Sequence, residues 1–341
     1  MKKKSIFFLL ILVILVLGVP AYQFGPRLFF RHFGYLWLDR VESQLIPAQL
    51  EEIRQKTKEL KAKIVWSSSR TGSHEIFVMT LPDNAIFQLT HNNYVDIFPR
   101  FSPDGEKIVF IRSQRPWVSG RELDPWDLYL ISLKTGKERL LAKEGNMPQW
   151  VDNHRISFVR KNKMLIRDLD TGQETLVLDG NLPPVSGQIT TPEFSPDQSG
   201  RLALTLRGKL AGVFVMDLKS KNFLKFGEGC QITWFPNGRD VCWVENGGRG
   251  GNQILTSPVN RLLKNVLIDL PGDFSHEYFP RLSRDGKWLI WGASAGGHEL
   301  DVEDYEIFLW QLGRPAAEAI RLTYNKANDS WPDIFIESTP Q

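Results

Sequence analysis

Beyond residue 63 the chain is a succession of short apolar runs separated by Gly, Pro, Asn and Asp. Lys107-Ile108-Val109-Phe110 and Lys287-Trp288-Leu289-Ile290 each follow an Asp-Gly turn. Further runs, each reached through a hairpin, are Ile76-Phe77-Val78-Met79, Leu128-Tyr129-Leu130-Ile131, Val213-Phe214-Val215-Met216 and Ile307-Phe308-Leu309-Trp310. Turns such as Lys134-Thr135-Gly136 and Asp170-Thr171-Gly172 then lead into a fourth run. Aliphatic and aromatic runs bounded by turn residues predict strands throughout. The first 62 residues read differently. Ile6 to Val19 is unbroken apolar sequence, and Pro26 to Gln44 and Pro47 to Ala62 are expected to be helical, Pro47 being acceptable at a first helical position.

One motif organises the strands. Phe98-Pro99-Arg100-Phe101-Ser102-Pro103-Asp104-Gly105 is its fullest copy, and Phe279-Pro280-Arg281-Leu282-Ser283-Arg284-Asp285-Gly286 is close to it. Reduced copies lie at Met147 to Asn153, Thr191 to Asp197, Thr233 to Gly238 and Trp331 to Ile334. The anchors at 101, 150, 194, 234, 282 and 334 are separated by 49, 44, 40, 48 and 52 residues, the span of a four-stranded propeller blade. The first blade starts at Lys63-Ile64-Val65-Trp66, which aligns with a second strand, and Trp331 to Ile336 is a surplus innermost strand. The expectation is an all-β, six-bladed β-propeller over residues 63–336, with one blade shared by both ends so that no sheet edge stays open.

These copies, with Gln88-Leu89-Thr90 and Arg321-Leu322-Thr323 ending the preceding blades, resemble the WD-like propeller repeats of the TolB family over about four-fifths of the chain. TolB is a periplasmic component of the Tol system, so the resemblance implies protein contacts in the cell envelope. Similar repeats occur in peptidase propellers and oligouronide lyases. The α/β domain that precedes the propeller in TolB has no counterpart here, its place being taken by the apolar run and some 40 helical residues.

Lys2, Lys3 and Lys4 before the apolar run give the order of an export signal. Fourteen residues span about 21 Å as a helix, short of a roughly 30 Å hydrocarbon core unless Ala21, Tyr22 and Phe24 extend it. Two outcomes are open: an uncleaved, single-pass anchor in the cytoplasmic membrane over residues 1–21, or cleavage after Ala21 and release into the periplasm. Either places the propeller on the extracytoplasmic side. Residues 22–62 are then a juxtamembrane spacer, whose Phe29, Phe30, Phe33, Tyr35 and Trp37 suit a membrane interface, and residues 337–341 a tail. Charge agrees with this division. Residues 1–63 hold 11 Lys/Arg against 5 Asp/Glu, and the rest 31 against 34, so the propeller lacks the basic footprint of a nucleic-acid partner.

Candidate chemistry is sparse. Gly292-Ala293-Ser294-Ala295-Gly296 has the spacing of a nucleophile elbow but falls in a hairpin, not between a strand and a helix. Gly247-Gly248-Arg249-Gly250-Gly251 is likewise a hairpin tip. Cys230 and Cys242 fall on adjacent strands, but the turn at Pro236-Asn237 places Cys242 opposite Thr233, so two free thiols are expected. His91, His276 and His298 fall on loops without metal-ligand spacing. No catalytic residue or cofactor is assigned.

Acidic residues carry a more particular signal. Asp96, Glu277 and Asp329 each lie three residues before the motif proline in blades two, six and one, which are neighbours in the ring. The same sector holds the long hairpin insertions Ser113–Asp127 and Ala293–Glu306, with Asp124, Asp127, Asp301 and Asp304 in related strings. Inter-blade connections and second-to-third-strand hairpins open on one face of a propeller and the Asp-Gly turns on the other, so these carboxylates converge on one face. They suit a basic protein partner, a Ca²⁺ ion, or turn-stabilising bonds to backbone N–H groups. Trp117 and Trp126 in the first insertion suit sugar stacking. The expected function is a membrane-anchored protein-interaction or envelope-assembly module with an envelope or membrane protein as partner. A glycan-binding or lyase propeller using the same face is the alternative.

Overall fold

The computed structural model describes residues 39–41 and 45–337, which fold into six β-sheets around one axis. The chain opens with β1 (Asp39–Val41) and helix α1 (Pro47–Thr57), followed by β2 (Ala62–Ser68), β3 (Glu75–Leu81) and β4 (Ala85–Gln88) of blade one. Blade two is β5 (Asp96–Phe101), β6 (Lys107–Ser113), β7 (Trp126–Ser132) and β8 (Glu138–Ala142). Blade three is β9 (Asn146–Trp150), β10 (Arg155–Arg160), β11 (Lys163–Asp168) and β12 (Glu174–Asp179). Blade four is β13 (Gln188–Phe194), β14 (Arg201–Arg207), β15 (Gly212–Asp217) and β16 (Phe223–Gly227). Blade five is β17 (Cys230–Trp234), β18 (Asp240–Asn246), β19 (Asn252–Pro258) and β20 (Asn265–Ile268). Blade six is β21 (His276–Leu282), β22 (Trp288–Ser294), β23 (Tyr305–Gln311) and β24 (Ile320–Arg321). The last strand, β25 (Asp329–Ile336), pairs antiparallel with β2, Ile64 opposite Ile334, and supplies the inner strand of blade one.

The serine of the repeat motif explains the tight turns. Ser102 Oγ donates to Asp104 Oδ1 (2.5 Å) and accepts from Lys107 N–H (2.9 Å), while Glu106 N–H donates to the same Asp oxygen (3.0 Å). Ser283 and Asp285 repeat this arrangement in blade six. Gly105 completes the turn at φ +70°, where a Cβ would lie 2.5 Å from the Phe335 ring, so conformation and space both demand glycine. Where the anchor is tryptophan it joins neighbouring blades: Trp150 Nε1–H donates to Arg100 O and Trp234 Nε1–H to Glu193 O, both at 3.0 Å.

Each inner strand is broken by a bulge at the same place. Phe98, Met147, Thr191, Gln231, Phe279 and Trp331 all have φ between +44° and +62°, and strand pairing shifts register beside each of them. Left-handed conformations cost an L-residue about 1 kcal/mol or more, and here the bulge accompanies a ring around the axis. Trp331 packs on Phe98 and Phe279 with centroids 4.5 and 4.2 Å apart. Phe279 N–H reaches across blades to Gln231 Oε1 (2.6 Å). Phe98, Phe279 and Trp331 thus pack together on the axial side of blades two, six and one.

Two elements brace blade one from outside. Helix α1 starts at Pro47, with Ile46 N–H donating to Gln49 Oε1 (3.1 Å), and buries Ile53 against Leu60, Ile86, Ile320 and Leu322 at the seam of blades six and one. Residues 39–41, expected within a helix, are instead a fifth strand, Asp39 opposite Gln88 and Val41 opposite Ile86. The outer edge of β4 offers unpaired N–H and C=O groups, and pairing with them prevails over local helix preference. The apolar run and the remainder of the Pro26–Gln44 segment lie outside the described residues. Cys230 and Cys242 are free, with Cys242 opposite Thr233 as the turn requires.

Candidate functional site

The two long insertions rise from the face that carries the inter-blade connections, and they grip one another. Asp301, in the β22–β23 insertion, accepts a hydrogen bond from Ser119 Oγ and another from Gly120 N–H (2.8 Å), both in the β6–β7 insertion. Arg121 and Glu299 add an ion pair at 3.0 Å, and Asn328 Nδ2 donates to Leu300 O (2.7 Å). Within the blade-two insertion, Trp126 Nε1–H donates to Glu122 O (2.6 Å). Asp127 Oδ1 accepts from Gln114 Nε2 (2.8 Å) and Glu144 N–H (2.9 Å). A fixed roof therefore spans blades six, one and two.

Blades three to five carry short hairpins, and the face opens there. One cavity of about 540 Å³ is lined by Arg121, Arg207, Glu228, Tyr278, His298 and Trp331, among others. A second, of about 530 Å³, is lined by Asp124, Glu144, Lys161 and Asn162 and shares Leu123, Met147 and Gln188 with the first. Together they form a crescent bounded by the roof. Asn252, 4 % exposed, lines the first cavity with its Nδ2 unpartnered, and His298 stacks on Tyr278 at 6.5 Å.

Of the residues singled out by sequence, only some reach this surface. Trp117 is 69 % exposed and Asp124 is exposed, while Asp127, Asp301 and Asp304 are half-buried. Asp96, Glu277 and Asp329 are fully buried, as is Trp126, so none of these four meets solvent. Their position in the strand turns the three carboxylates into the wall between blades. Asp96 receives Arg112 Nε and Nη2, each at 2.7 Å, and Asn92 Nδ2 at 2.9 Å. Asp329 receives Arg70 Nη2 (2.9 Å) and Asn325 Nδ2 (2.7 Å). These are matching networks, for Asn92 N–H donates to Glu75 and Asn325 N–H to Glu306, both at 2.6 Å. The third site is incomplete. Glu277 Oε1 accepts Leu270 N–H (2.7 Å), but Oε2 is buried without a partner.

Burial dominates the electrostatics. It pushes Glu75, Glu277 and Glu306 up to about 7, and raises Asp96 above the ordinary carboxylate range against the pull of Arg112. His74, unremarked in the sequence, contacts Ser67 Oγ at 2.9 Å, and burial lowers it to about 4. Among the described residues, no three His, Cys, Asp or Glu side chains are arranged to hold a metal ion. Ser294 is buried and its Oγ donates to Gly297 O, within a β-hairpin.

A 146-residue stretch of this chain is 28 % identical to a protein TolB homolog of Chlorobium chlorochromatii. The repeats are TolB-like. That stretch is 40 % of this chain and 29 % of its relative, so the chain spans well under two thirds of that protein. The TolB-like ring superposes on TolB from Acinetobacter baumannii with a TM-score of 0.61 at 15 % identity, covering 80 % of this chain and 66 % of the other. It superposes on a putative TolB from Agrobacterium tumefaciens with 0.56 at 14 %, covering 82 % and 99 %. At such identities the likeness is one of fold. A nidogen/laminin complex matches with 0.53 at 13 % over 81 % and 98 %, so this ring serves proteins of other kinds too. No family model matches the chain.

Proposed function

We propose that this TolB-like propeller is a protein-binding module of the cell envelope, held on the outer side of the cytoplasmic membrane by residues 1–21, with the roofed face as its contact surface. The observation that carries the reading is the roof itself. Two long insertions are locked together through Asp301 and leave beside them a crescent that no described segment fills. Fixed loops around a polar and aromatic hollow favour recognition of a folded partner, because little order has to be gained on binding. Exposed Trp117 and Asp124 are the contact candidates; Asp127, Asp301 and Asp304 shape the loops that present them.

The anchor reading rests on Lys2 to Lys4 ahead of Ile6 to Val19. Among the described residues no helix is long and apolar enough to cross a membrane. If the anchor is retained, residues 22–38 reach about 60 Å at most when fully extended. The tether would then join the ring at the outer edge of blade one, where β1 pairs with β4. Photo-crosslinking in intact cells tests the contact surface. A benzoylphenylalanine at position 117 is expected to trap a partner that the same group at position 140, on the rim of blade two, does not. Equal yields from both positions, or from neither, refute the assignment.

A further inference from the structure

The other mouth of the channel, on the side of the Asp-Gly turns, has its own chemistry. The second residue after each bulge, which follows a proline in every blade but the fifth, points its side chain inward, and the six blades contribute Arg100, Gln149, Glu193, Thr233, Arg281 and Asp333. All but Thr233, which bonds Glu193 and Arg281, line a cavity of about 690 Å³ whose walls include Phe101, Trp150, Phe194, Trp234 and Phe335. Two cations and two anions share the ring, but they are not paired one to one. Arg281 takes both acids, Glu193 at 2.9 Å and Asp333 at 3.6 Å. Asp333 is occupied further by Phe101 N–H at 2.8 Å.

Arg100 is left over. It is 4 % exposed, and its hydrogen bonds leave from Nη1 and end on carbonyl oxygens, those of Pro99 (2.7 Å), Trp331 (3.4 Å) and Pro332 (3.5 Å). Its Nε is buried without a partner, and no ion pair forms to it among the described residues. Burial, with Arg281 close by, pulls its guanidinium down to about 9 against the opposing attraction of Asp333 and Glu193. A buried guanidinium strongly favours a planar, bidentate acceptor.

We infer that this mouth binds a single carboxylate group, anchored on Arg100 and flanked by the aromatic walls. The charge of the ring sets the class of ligand. On the cavity wall Arg100, Arg281 and Arg284 face Glu193 and Asp333, while Arg155 is paired with Asp152, so one positive charge is in excess and a monoanion balances it whereas a phosphate dianion overshoots. The carboxylate belongs either to a small aromatic acid or to the C-terminus of a peptide. This cavity shares no lining residue with the two cavities of the roofed face.

The test is titration of the full chain at constant ionic strength with sodium benzoate, benzamide and inorganic phosphate. The readouts are the Arg100 Nε–Hε resonance and Trp150/Trp234 fluorescence. Benzoate is expected to saturate with a Kd of about 1 mM, benzamide and phosphate to give no saturable change, and Arg100→Gln to weaken benzoate by about tenfold or more. Should that variant fail to fold, Arg100→Lys keeps the charge without the fork and is expected to weaken benzoate as well. A Phe-terminated tetrapeptide with a free carboxylate, compared with its amide, separates a peptide end from a small acid. Absence of saturable benzoate binding to the unmodified protein, an equal response to benzamide, or tighter binding of phosphate would each overturn the inference.

Discussion

Glu277 offers a sharp test of how burial acts in this ring. Its cross-strand neighbour is Ala293, whereas Asp96 at the matching site faces Arg112. With Oε2 unpartnered and burial raising its carboxyl to about 7 from an ordinary 4.5, the folded state holds a proton that the unfolded chain releases. Between those two values the folded state binds more protons, so stability falls as pH rises through that window and levels off above it. The slope is at most about 1.4 kcal/mol per pH unit for one group. Over the window this sums to about 3 kcal/mol as an upper bound, and a realistic share is about half of that. A domain of this size shifts its Tm by about 2–4 °C per kcal/mol. Glu277→Gln imitates the protonated side chain and keeps the oxygen that accepts Leu270 N–H. Thermal unfolding of variant and parent should therefore nearly coincide around pH 5, with the variant higher by about 3–6 °C around pH 8. A Tm difference that is the same at both pH values, or that favours the parent at the higher one, refutes the account of Glu277 as an unpaired buried acid.

Other consequences follow from the same contacts. Asp329→Ala strands the buried Arg70 and should cost about 3–5 kcal/mol by denaturant unfolding, against less than about 0.5 kcal/mol for exposed Asp124→Ala. Asp301→Ala removes two of the contacts between the insertions and leaves the exposed Arg121–Glu299 pair; limited proteolysis should then cut within residues 114–125 several times faster, with little change in the main unfolding transition. Ile53→Ala empties the seam under α1 and should lose about 2–5 kcal/mol, read from the chemical-denaturation midpoint. Burial raises the Cys230 thiol to about 11 and pushes Cys242 up as well, so the native protein should resist iodoacetamide near neutral pH and react rapidly once unfolded.

The blades were legible because their turns are encoded locally. Ser102, Asp104 and Gly105 act within four residues of one another, and so do Ser283, Asp285 and Gly286. Insertion lengths were legible for the same reason, and with them the face that carries the contact candidates. Burial of Asp96 and Asp329 was not, since acidic residues ordinarily sit at surfaces. What hides them is an arginine 16 residues away in one case and 259 in the other. The bulge residues themselves share a backbone conformation but no side-chain chemistry, and their local marker is the proline that follows all but Gln231. The lone guanidinium of Arg100 emerges only when six strands are seen around one axis. Asp39 to Val41 became a strand through an edge some 45 residues on, which no nearby residue announces.

The pairing of β2 with β25 bears on the order in which the molecule is made. Blade one is synthesised first, yet its inner position stays vacant until residues 329–336 arrive. Until then the newborn chain presents β2 as an adhesive edge, and the closing contact joins residues more than 260 positions apart. Such a contact forms late and at a large entropic cost. The ring is thus fastened last at its oldest part, and a ribosome stalled before the final strand leaves an open spiral prone to join its neighbours edge to edge.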